Sequence, residues 1–193
     1  MHSIARLCLA GFGLLLAVAA ARAQTAPEAG RYALDAAKSS IVFSIGHFYV
    51  SSTQGRFTSF DGRLVFARET PERGNVTIHV SPGSIDTGIA ARDDHLRSAD
   101  FFDVAKYPLV RFESTGLVRT GNTGMLTGML TLHGVTRPVT FAATLQTPDL
   151  NGNRLAFSAT GTLKRSDFGM TDYMGVIGDE VTLKIEAEFD RER

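Results

Sequence analysis

The amino-acid sequence predicts an all-β fold, a closed antiparallel barrel of about eight strands with one short helical segment. Three observations predict it. Apolar and polar residues alternate with a period of two along most of the chain after Tyr32, whereas the helical period is rare. Clusters of Gly, Asn, Asp and Pro separate the alternating segments, as in antiparallel hairpins. A single stretch, 86–107, breaks the alternation.

The strand predictions rest on this alternation. Near the end of the chain Val181, Leu183 and Ile185 alternate with Thr182 and Lys184, which is typical of a strand with one buried face. The same pattern predicts strands at 40–47, 55–67, 75–81, 110–118, 125–133, 139–146, 155–164 and 181–190, with a bulge in the second near Asp61 and Gly62.

Turn residues lie where this arrangement needs reversals. The segments 72–74, 120–124 and 149–153 are predicted to be hairpin loops, and 133–136 a tight reversal. Pro138 comes near a strand start, where a missing N–H is tolerated. The loops are therefore mostly short, which makes the sheet antiparallel.

The stretch 86–107 is predicted to hold the helical segment, near 87–103. Ala90, Leu96 and Ala99 are spaced among charged residues there, and the segment ends before Pro108. One small helix beside an eight-stranded antiparallel sheet favours a closed barrel, because closure removes the exposed sheet edges.

The N-terminus is predicted to be a cleavable export signal, residues 1–23. A weakly basic start precedes an apolar run at 7–21, and Ala21-Arg22-Ala23 supplies the small-x-small cleavage pattern. The run is shorter than the roughly 20 residues that span a bilayer. Residues 24–30 are then a short flexible linker, and 31–193 form the barrel domain.

Cleavage changes the composition. The full chain has 20 Lys and Arg against 20 Asp and Glu, and loss of Arg6 and Arg22 leaves a net charge of −2. Loss of Cys8 leaves no cysteine, which excludes disulfides, thiolate metal sites and thiol catalysis. A balanced charge without a basic run argues against nucleic-acid binding.

No motif for enzymatic chemistry is present. The sequence lacks a His-Glu-x-x-His zinc motif, a Gly-x-Ser-x-Gly nucleophile elbow and a phosphate-binding glycine loop. His47 alternates with Phe43 and Ile45, so it is predicted either to face the barrel interior or to form a hydrogen bond at a strand end. An enzyme with His47 or His95 as general base has the least support. We therefore predict no enzyme, no catalytic residue, no metal site and no cofactor.

The apolar residues are more informative. An eight-stranded barrel is just wide enough to be filled by side chains or to hold one slim ligand, and composition leaves both alternatives open. Of the 13 Phe, all but Phe12 lie in the mature chain. The residues predicted to line the interior and bind an apolar ligand are Phe43, Ile45, His47, Phe57, Phe66, Ile78, His95, Phe112, Met129, Phe141, Phe157 and Ile185.

The densest polar cluster is Arg92-Asp93-Asp94-His95. It is predicted to be either a polar rim, which orders the helix over a pocket mouth or meets a ligand head group, or a solvated helical turn. In the second case each exposed Arg–Asp pair contributes about 0.2–1 kcal/mol. The residues themselves leave both interpretations open.

A series of collinear motifs resembles the YceI-like family and covers nearly the whole mature chain. The motifs are Tyr32-x-Leu34-Asp35, Ser39-Ser40-x-x-Phe43-x-x-x-His47, Gly55-x-Phe57-x-x-Phe60-x-Gly62, Ser84-Ile85-x-Thr87, Arg92-Asp93-x-His95-Leu96-x-Ser98-x-Asp100-Phe101-Phe102-Asp103, Tyr107-Pro108, Gly128-x-Leu130-Thr131-x-x-Gly134-Val135-Thr136-x-Pro138-Val139 and Arg165-x-x-Phe168-Gly169. Two departures are Lys38-Ser39, where the family usually has His-Ser, and Phe48-Tyr49-Val50, which replaces a smaller segment and is expected to narrow one barrel mouth.

The resemblance implies a bacterial periplasmic protein with a lipocalin-like barrel and no catalytic activity. It implies a long apolar ligand, such as an isoprenoid lipid, a quinone-like molecule or a fatty amide. A homodimer and a membrane partner of the cytochrome b561 type are further expectations from the family. The function predicted first is a carrier that holds such a lipid in its barrel. The alternative is a stress-response or structural interaction module with a filled barrel.

Overall fold

The computed structural model describes residues 29–47, 51–67, 70, 73–146 and 153–192. The predicted signal 1–23 and the linker residues 24–28 lie outside them. The strands are β1 Gly30–Leu34, β2 Ser40–His47, β3 Ser51–Phe57, β4 Phe60–Phe66, β5 Asn75–Val80, β6 Ile85–Asp86, β7 Val110–Thr120, β8 Thr123–Leu132, β9 Val135–Leu145, β10 Arg154–Lys164 and β11 Ile177–Arg191, and the helix is α1 Ala90–Arg97. The predicted all-β fold with one short helix is confirmed.

These strands occupy eight positions around a closed barrel. β1 and β2 run in the same direction along β11, with Leu34 opposite Phe189 and Ser40 opposite Glu186, so they are two halves of one barrel strand. β3 and β4 form a second strand that is interrupted at 58–59, and β5 with β6 a third. Each position pairs antiparallel with the next in chain order, and β11 pairs back with β1 and β2. The eight-stranded antiparallel barrel is therefore confirmed.

Some strand boundaries differ from the predictions. The sequence pattern does not predict β1, because a segment of 5 residues is too short to establish alternation. The interruption of the second barrel strand lies at 58–59 and not near Gly62, which pairs regularly with Ile78. β9 begins at Val135, ahead of the predicted start, since the strand accommodates Pro138.

Helix α1 lies at the end of the third barrel position. Arg97, the last residue of the helix, donates from Nε to the carbonyl oxygen of Gly83 and from Nη2 to that of Ile85, each at 2.8 Å. Residues 98–109 then lead to β7, which pairs with β5 but not with β6. The helix and this returning segment therefore take the place of strand pairing between β6 and β7.

Two groups of buried side chains face the inside of the barrel. One comprises Phe112, Leu130, Leu132, Phe141, Phe168 and Met170, and the other Tyr32, Leu155 and Phe189. Both stabilise the barrel by removing apolar surface from water, at about 25 cal/mol per Å². Within the described ranges, no helix is long and apolar enough to cross a bilayer.

Candidate functional site: an apolar cavity inside the barrel

The inside of the barrel contains a cavity of about 640 Å³. Side chains from all of the strands and from α1 line it, and most of them are aliphatic or aromatic. The volume lies within the range of about 300–1,000 Å³ that is typical of small-molecule sites. At roughly 30 Å³ for each water-sized group, it holds about 20 such groups, or about four five-carbon isoprene units.

Eleven of the residues predicted to line the interior lie on the wall of this cavity. They are Phe43, Ile45, His47, Phe57, Phe66, Ile78, His95, Phe112, Phe141, Phe157 and Ile185. They come from most of the barrel strands and from α1, so the closure of the barrel is what brings them together.

Met129 is the exception, because the structure places it on the outside of the barrel. Its side chain is 37% exposed, whereas Leu126 and Leu130 of the same strand line the cavity. The tandem repeat Gly-Met-Leu-Thr puts an apolar residue on each face of β8, so hydrophobicity alone does not tell which face points inward. The prediction for Met129 was therefore wrong, because its neighbour Leu130 faces the cavity instead.

The sequence predictions also missed cavity residues. Ala143 and Ala159 are cross-strand neighbours on the adjacent strands β9 and β10, and both line the cavity. The period-two alternation of each strand was the available signal. Their small size is informative as well, because two small side chains next to each other on the wall leave room inside a barrel of fixed width.

Two inward-facing glycines set the position of an aromatic pair on the cavity wall. A Cβ at Gly128 would overlap the ring of Phe112 and lie 2.5 Å from the carbonyl oxygen of Glu113, and one at Gly161 would lie 2.6 Å from Cδ1 of Phe141. The rings of Phe112 and Phe141 meet edge to face, with centroids 5.6 Å apart. Glycine is therefore needed at both positions so that these rings can lie against the strands.

One end of the cavity carries a chain of polar side chains. His47 Nε2 and the hydroxyl of Thr53 lie 2.8 Å apart, and Nη1 of Arg92 donates to the same hydroxyl at 3.5 Å. All three residues line the cavity. Neither Thr53 nor Arg92 was among the residues predicted to bind a ligand, although Arg92 belongs to the polar cluster noted in the sequence.

Partly buried hydrogen bonds hold Arg92 in place. Its Nε donates to the hydroxyl of Thr87 at 2.8 Å and its Nη2 to the carbonyl oxygen of Thr87 at 2.9 Å. The carboxylate of Asp93, a residue only 6% exposed, accepts from the N–H and the hydroxyl of Thr87. Of the two interpretations of this cluster, the structure favours the polar rim, since Asp93 is buried and Arg92 faces the cavity.

The rim of this end is formed by His95 and Tyr173. The carboxylate of Asp100 lies 2.9 Å from His95 Nε2 and accepts from the Tyr173 hydroxyl at 3.4 Å. The rings of Phe101 and Tyr173 stack at 5.6 Å. The side chain of His95 is 44% exposed and Tyr173 is 48% exposed, and both line the cavity, so the polar end opens to solvent.

Arg165 fixes the chain segment that carries Tyr173. Only 3% exposed, it donates four hydrogen bonds, at 2.8–3.1 Å, to the carbonyl oxygens of Met170, Asp172, Ile177 and Gly178. Burial lowers the pKa of its guanidinium, and the nearby charges of Asp179 and Asp172 offset part of that effect.

Asp179 completes this arrangement from the bulge in β11. Its carboxylate accepts from the N–H of Ser166 at 2.9 Å and from the Ser166 hydroxyl at 2.8 Å. Burial alone would raise the pKa of Asp179, but these hydrogen bonds and the charge of Arg165 lower it below the usual aspartate value. Asp179 is therefore ionised at neutral pH and helps to balance the buried guanidinium.

The described residues contain no grouping of three or more His, Cys, Asp and Glu that suits a metal ion. His47 lies within hydrogen-bond distance of the Thr53 hydroxyl. In the described part of the chain, however, no further group is hydrogen bonded to the other ring nitrogen of His47, which is the contact that orients the base in a nucleophile–base–acid triad.

The sequence that forms the cavity and its polar end matches a known family model. A YceI-like domain matches residues 32–189, which is most of the chain. The chain belongs to the YceI-like family. Protein YceI of Salmonella newport is 42% identical to it over 149 residues, which cover 76% of this chain and 78% of that protein.

Solved structures of similar proteins share the same barrel fold. BcnA of Burkholderia cenocepacia superposes with a TM-score of 0.73 at 27% identity, covering 80% of this chain and 98% of BcnA. A domain from Saccharophagus degradans, described as polyisoprenoid-binding, superposes with a TM-score of 0.68 over 86% of this chain and 100% of that domain. Its identity of 17% shows a shared fold only.

One departure from the usual family motif lies outside the cavity. Lys38 forms an ion pair with Asp35, and its side chain is 43% exposed. Its neighbour Ser39 lines the cavity and donates to the carbonyl oxygen of Asp35 at 2.7 Å. The other departure, Phe48-Tyr49-Val50, falls outside the described residues.

Proposed function

We propose that this protein binds one long apolar lipid, an isoprenoid chain, inside its barrel and carries or sequesters it without catalysis. The observation that carries the proposal is the 640 Å³ cavity, which is apolar along the barrel and polar at the end that opens to solvent. A ligand with a long hydrocarbon chain and a small polar head matches this cavity, with its chain in the apolar part and its head at the polar end.

The energetics of burial support a hydrocarbon ligand. Each 100 Å² of apolar surface that the ligand and the cavity remove from water contributes about 2.5 kcal/mol. Binding therefore needs few hydrogen bonds once the cost of association, about 4–15 kcal/mol, is met. We expect selectivity among chains to follow the length and width of the cavity.

A domain of the same fold supports the ligand class. The Saccharophagus degradans domain of the same fold is described as polyisoprenoid-binding, and this chain shares with it a barrel of similar extent. A quinone-like molecule with an isoprenoid tail belongs to the same class and fits the same division of the cavity. A non-catalytic role is consistent with the described residues, among which no third group is hydrogen bonded to His47.

The location and the partners are further parts of the proposal. The predicted signal at 1–23 supports export, and the family resemblance supports the periplasm of a bacterium as the destination. The same resemblance is the basis for proposing a homodimer and a membrane partner of the cytochrome b561 type. Nucleic acid is not a proposed partner, because the chain has equal numbers of basic and acidic residues.

Native mass spectrometry tests the proposed function. Protein purified from its own host under mild conditions is expected to carry one added mass in the range of a prenyl lipid or prenylated quinone. Solvent extraction should release a compound of that mass and lower the unfolding temperature. Protein without any added mass, whose unfolding temperature does not rise with prenyl alcohols or prenylated quinones, would contradict the proposal.

A further inference from the structure

The polar end of the cavity carries the guanidinium of Arg92, which contacts no carboxylate in the described part of the chain. Among the residues that the structure describes, Arg92 makes three hydrogen bonds, to the hydroxyl and carbonyl oxygens of Thr87 and to the hydroxyl of Thr53. A guanidinium has five N–H donors, so two of them are left for a ligand. The bond to Thr53 is long, at 3.5 Å, and is the one that a better acceptor would replace most readily.

The acidic residues of this region do not take up those donors. The hydroxyl of Thr87 lies between Arg92 and Asp93, accepting from the guanidinium and donating to the carboxylate. The rim carboxylate, Asp100, is already bound by His95 and by the hydroxyl of Tyr173. Asp93 therefore positions Arg92 through Thr87 rather than forming a direct ion pair with it.

We infer that Arg92 makes the cavity selective for lipids with an anionic head group, a carboxylate or a phosphate, over neutral lipids of the same chain. This inference rests on the proposed function. Hydrogen bonds from a fixed guanidinium to an anion are stronger than those to a neutral acceptor, and the planar fork matches carboxylate and phosphate geometry. A partly buried site also screens the charge less than open solvent does.

The size of the cavity determines which compounds are suitable for testing this inference. A chain of about 20 carbons fills it, so the matched compounds are geranylgeranyl phosphate, geranylgeranoic acid and geranylgeraniol. They share the same hydrocarbon and differ only in the head group, and the two acids distinguish a phosphate from a carboxylate. Their affinities for extracted, refolded protein are measured by titration calorimetry, after circular dichroism has shown that the barrel has re-formed.

We expect wild-type protein to bind at least one acid about tenfold or more tightly than the alcohol. Arg92→Met should remove that preference, because it weakens binding of the acids far more than binding of geranylgeraniol. Arg92→Lys should keep part of the preference, because it retains the charge without the planar fork. Arg56→Gln is the matched control. It removes a guanidinium that is 64% exposed on neighbouring β3 and paired with Asp86, and it should leave the preference intact.

The outcomes separate this inference from the proposed function. Equal affinities for acids and alcohol, unchanged in Arg92→Met, would overturn the selectivity and leave lipid binding standing. A loss of geranylgeraniol binding in Arg92→Met would also overturn it, since Arg92 would then support the cavity rather than select the head group. Failure of all three compounds to bind the wild-type protein would contradict the proposed function itself.

Discussion

Replacing Ala143 by Phe is expected to weaken binding of a 20-carbon chain, about the length that fills the cavity, while the barrel stays folded. Ala143 lines the cavity next to Ala159 of the adjacent strand. A phenyl ring there occupies space that the hydrocarbon needs, so binding should weaken at least tenfold, which corresponds to about 1.4 kcal/mol. The cavity absorbs the added volume, so the cost of overpacking in a filled core, about 1–3 kcal/mol, is avoided. Titration with geranylgeraniol and thermal unfolding measure the two effects.

The neighbouring residue provides the matched control. Ala142 precedes Ala143 on β9, and it is exposed on the outer face of the barrel. Ala142→Phe should bind geranylgeraniol as tightly as the wild type does. Ala159→Phe, on the adjacent strand β10, is a second way to fill the cavity if the first variant does not fold. Undiminished binding in folded Ala143→Phe and Ala159→Phe would contradict a ligand inside the barrel and favour an interaction module that uses the outer surface.

Replacing Arg165 by Met is expected to lower the free energy of unfolding by about 3–5 kcal/mol, the usual cost of removing one partner of a buried charged network. Four backbone carbonyl oxygens lose their donor, and the carboxylate of Asp179 loses its neighbouring positive charge. For a domain of this size the midpoint of thermal unfolding should fall by roughly 6–20 °C. Urea unfolding followed by circular dichroism measures the free energy directly.

Arg137→Met is the control for this experiment. Arg137 is exposed and donates from Nε to one carbonyl oxygen, that of Asp167, at 3.3 Å, so its loss should cost less than about 1 kcal/mol. Arg165→Lys should recover part of the stability, because an ammonium has three donors but lacks the reach of the fork. If Arg165→Met unfolds at the same urea concentration as Arg137→Met, the segment around Tyr173 does not depend on the buried guanidinium.

The barrel was largely predictable from the sequence because the pattern that marks each strand is local. Alternation within a strand depends on residues two positions apart, and this placed eight barrel strands near their observed positions. The short β1 was missed, since its place in the barrel depends on pairing with β4 and β11 and not on its own 5 residues. The division of the second barrel strand at 58–59 likewise depends on the turn before β6, where Ser84 Oγ accepts from the N–H of Ser59.

The cavity residues were predictable where the large apolar residues of a strand fall mainly on one of its two faces. Phe43 and Ile45 are large apolar residues two positions apart on β2 with polar Ser44 between them, and both line the cavity. The alternation did not show which face of β8 points inward, because this strand is apolar on both faces, and Met129 was therefore placed wrongly. The polar end was not predictable in detail, since Thr53 and Arg92 are 39 residues apart and meet only because α1 folds over the barrel end. Whether the interior is filled or hollow also depends on the width of the closed barrel and not on any one residue.

The most direct test of lipid binding is a crystal structure of the protein purified from its own host without ligand exchange. We predict one continuous tube of electron density inside the barrel, lying against Ala143 and Ala159 and ending in a head group within hydrogen-bond distance of Arg92. An interior that holds only separate water peaks, or one filled by repacked side chains, would contradict the conclusion that the barrel is a lipid-binding site.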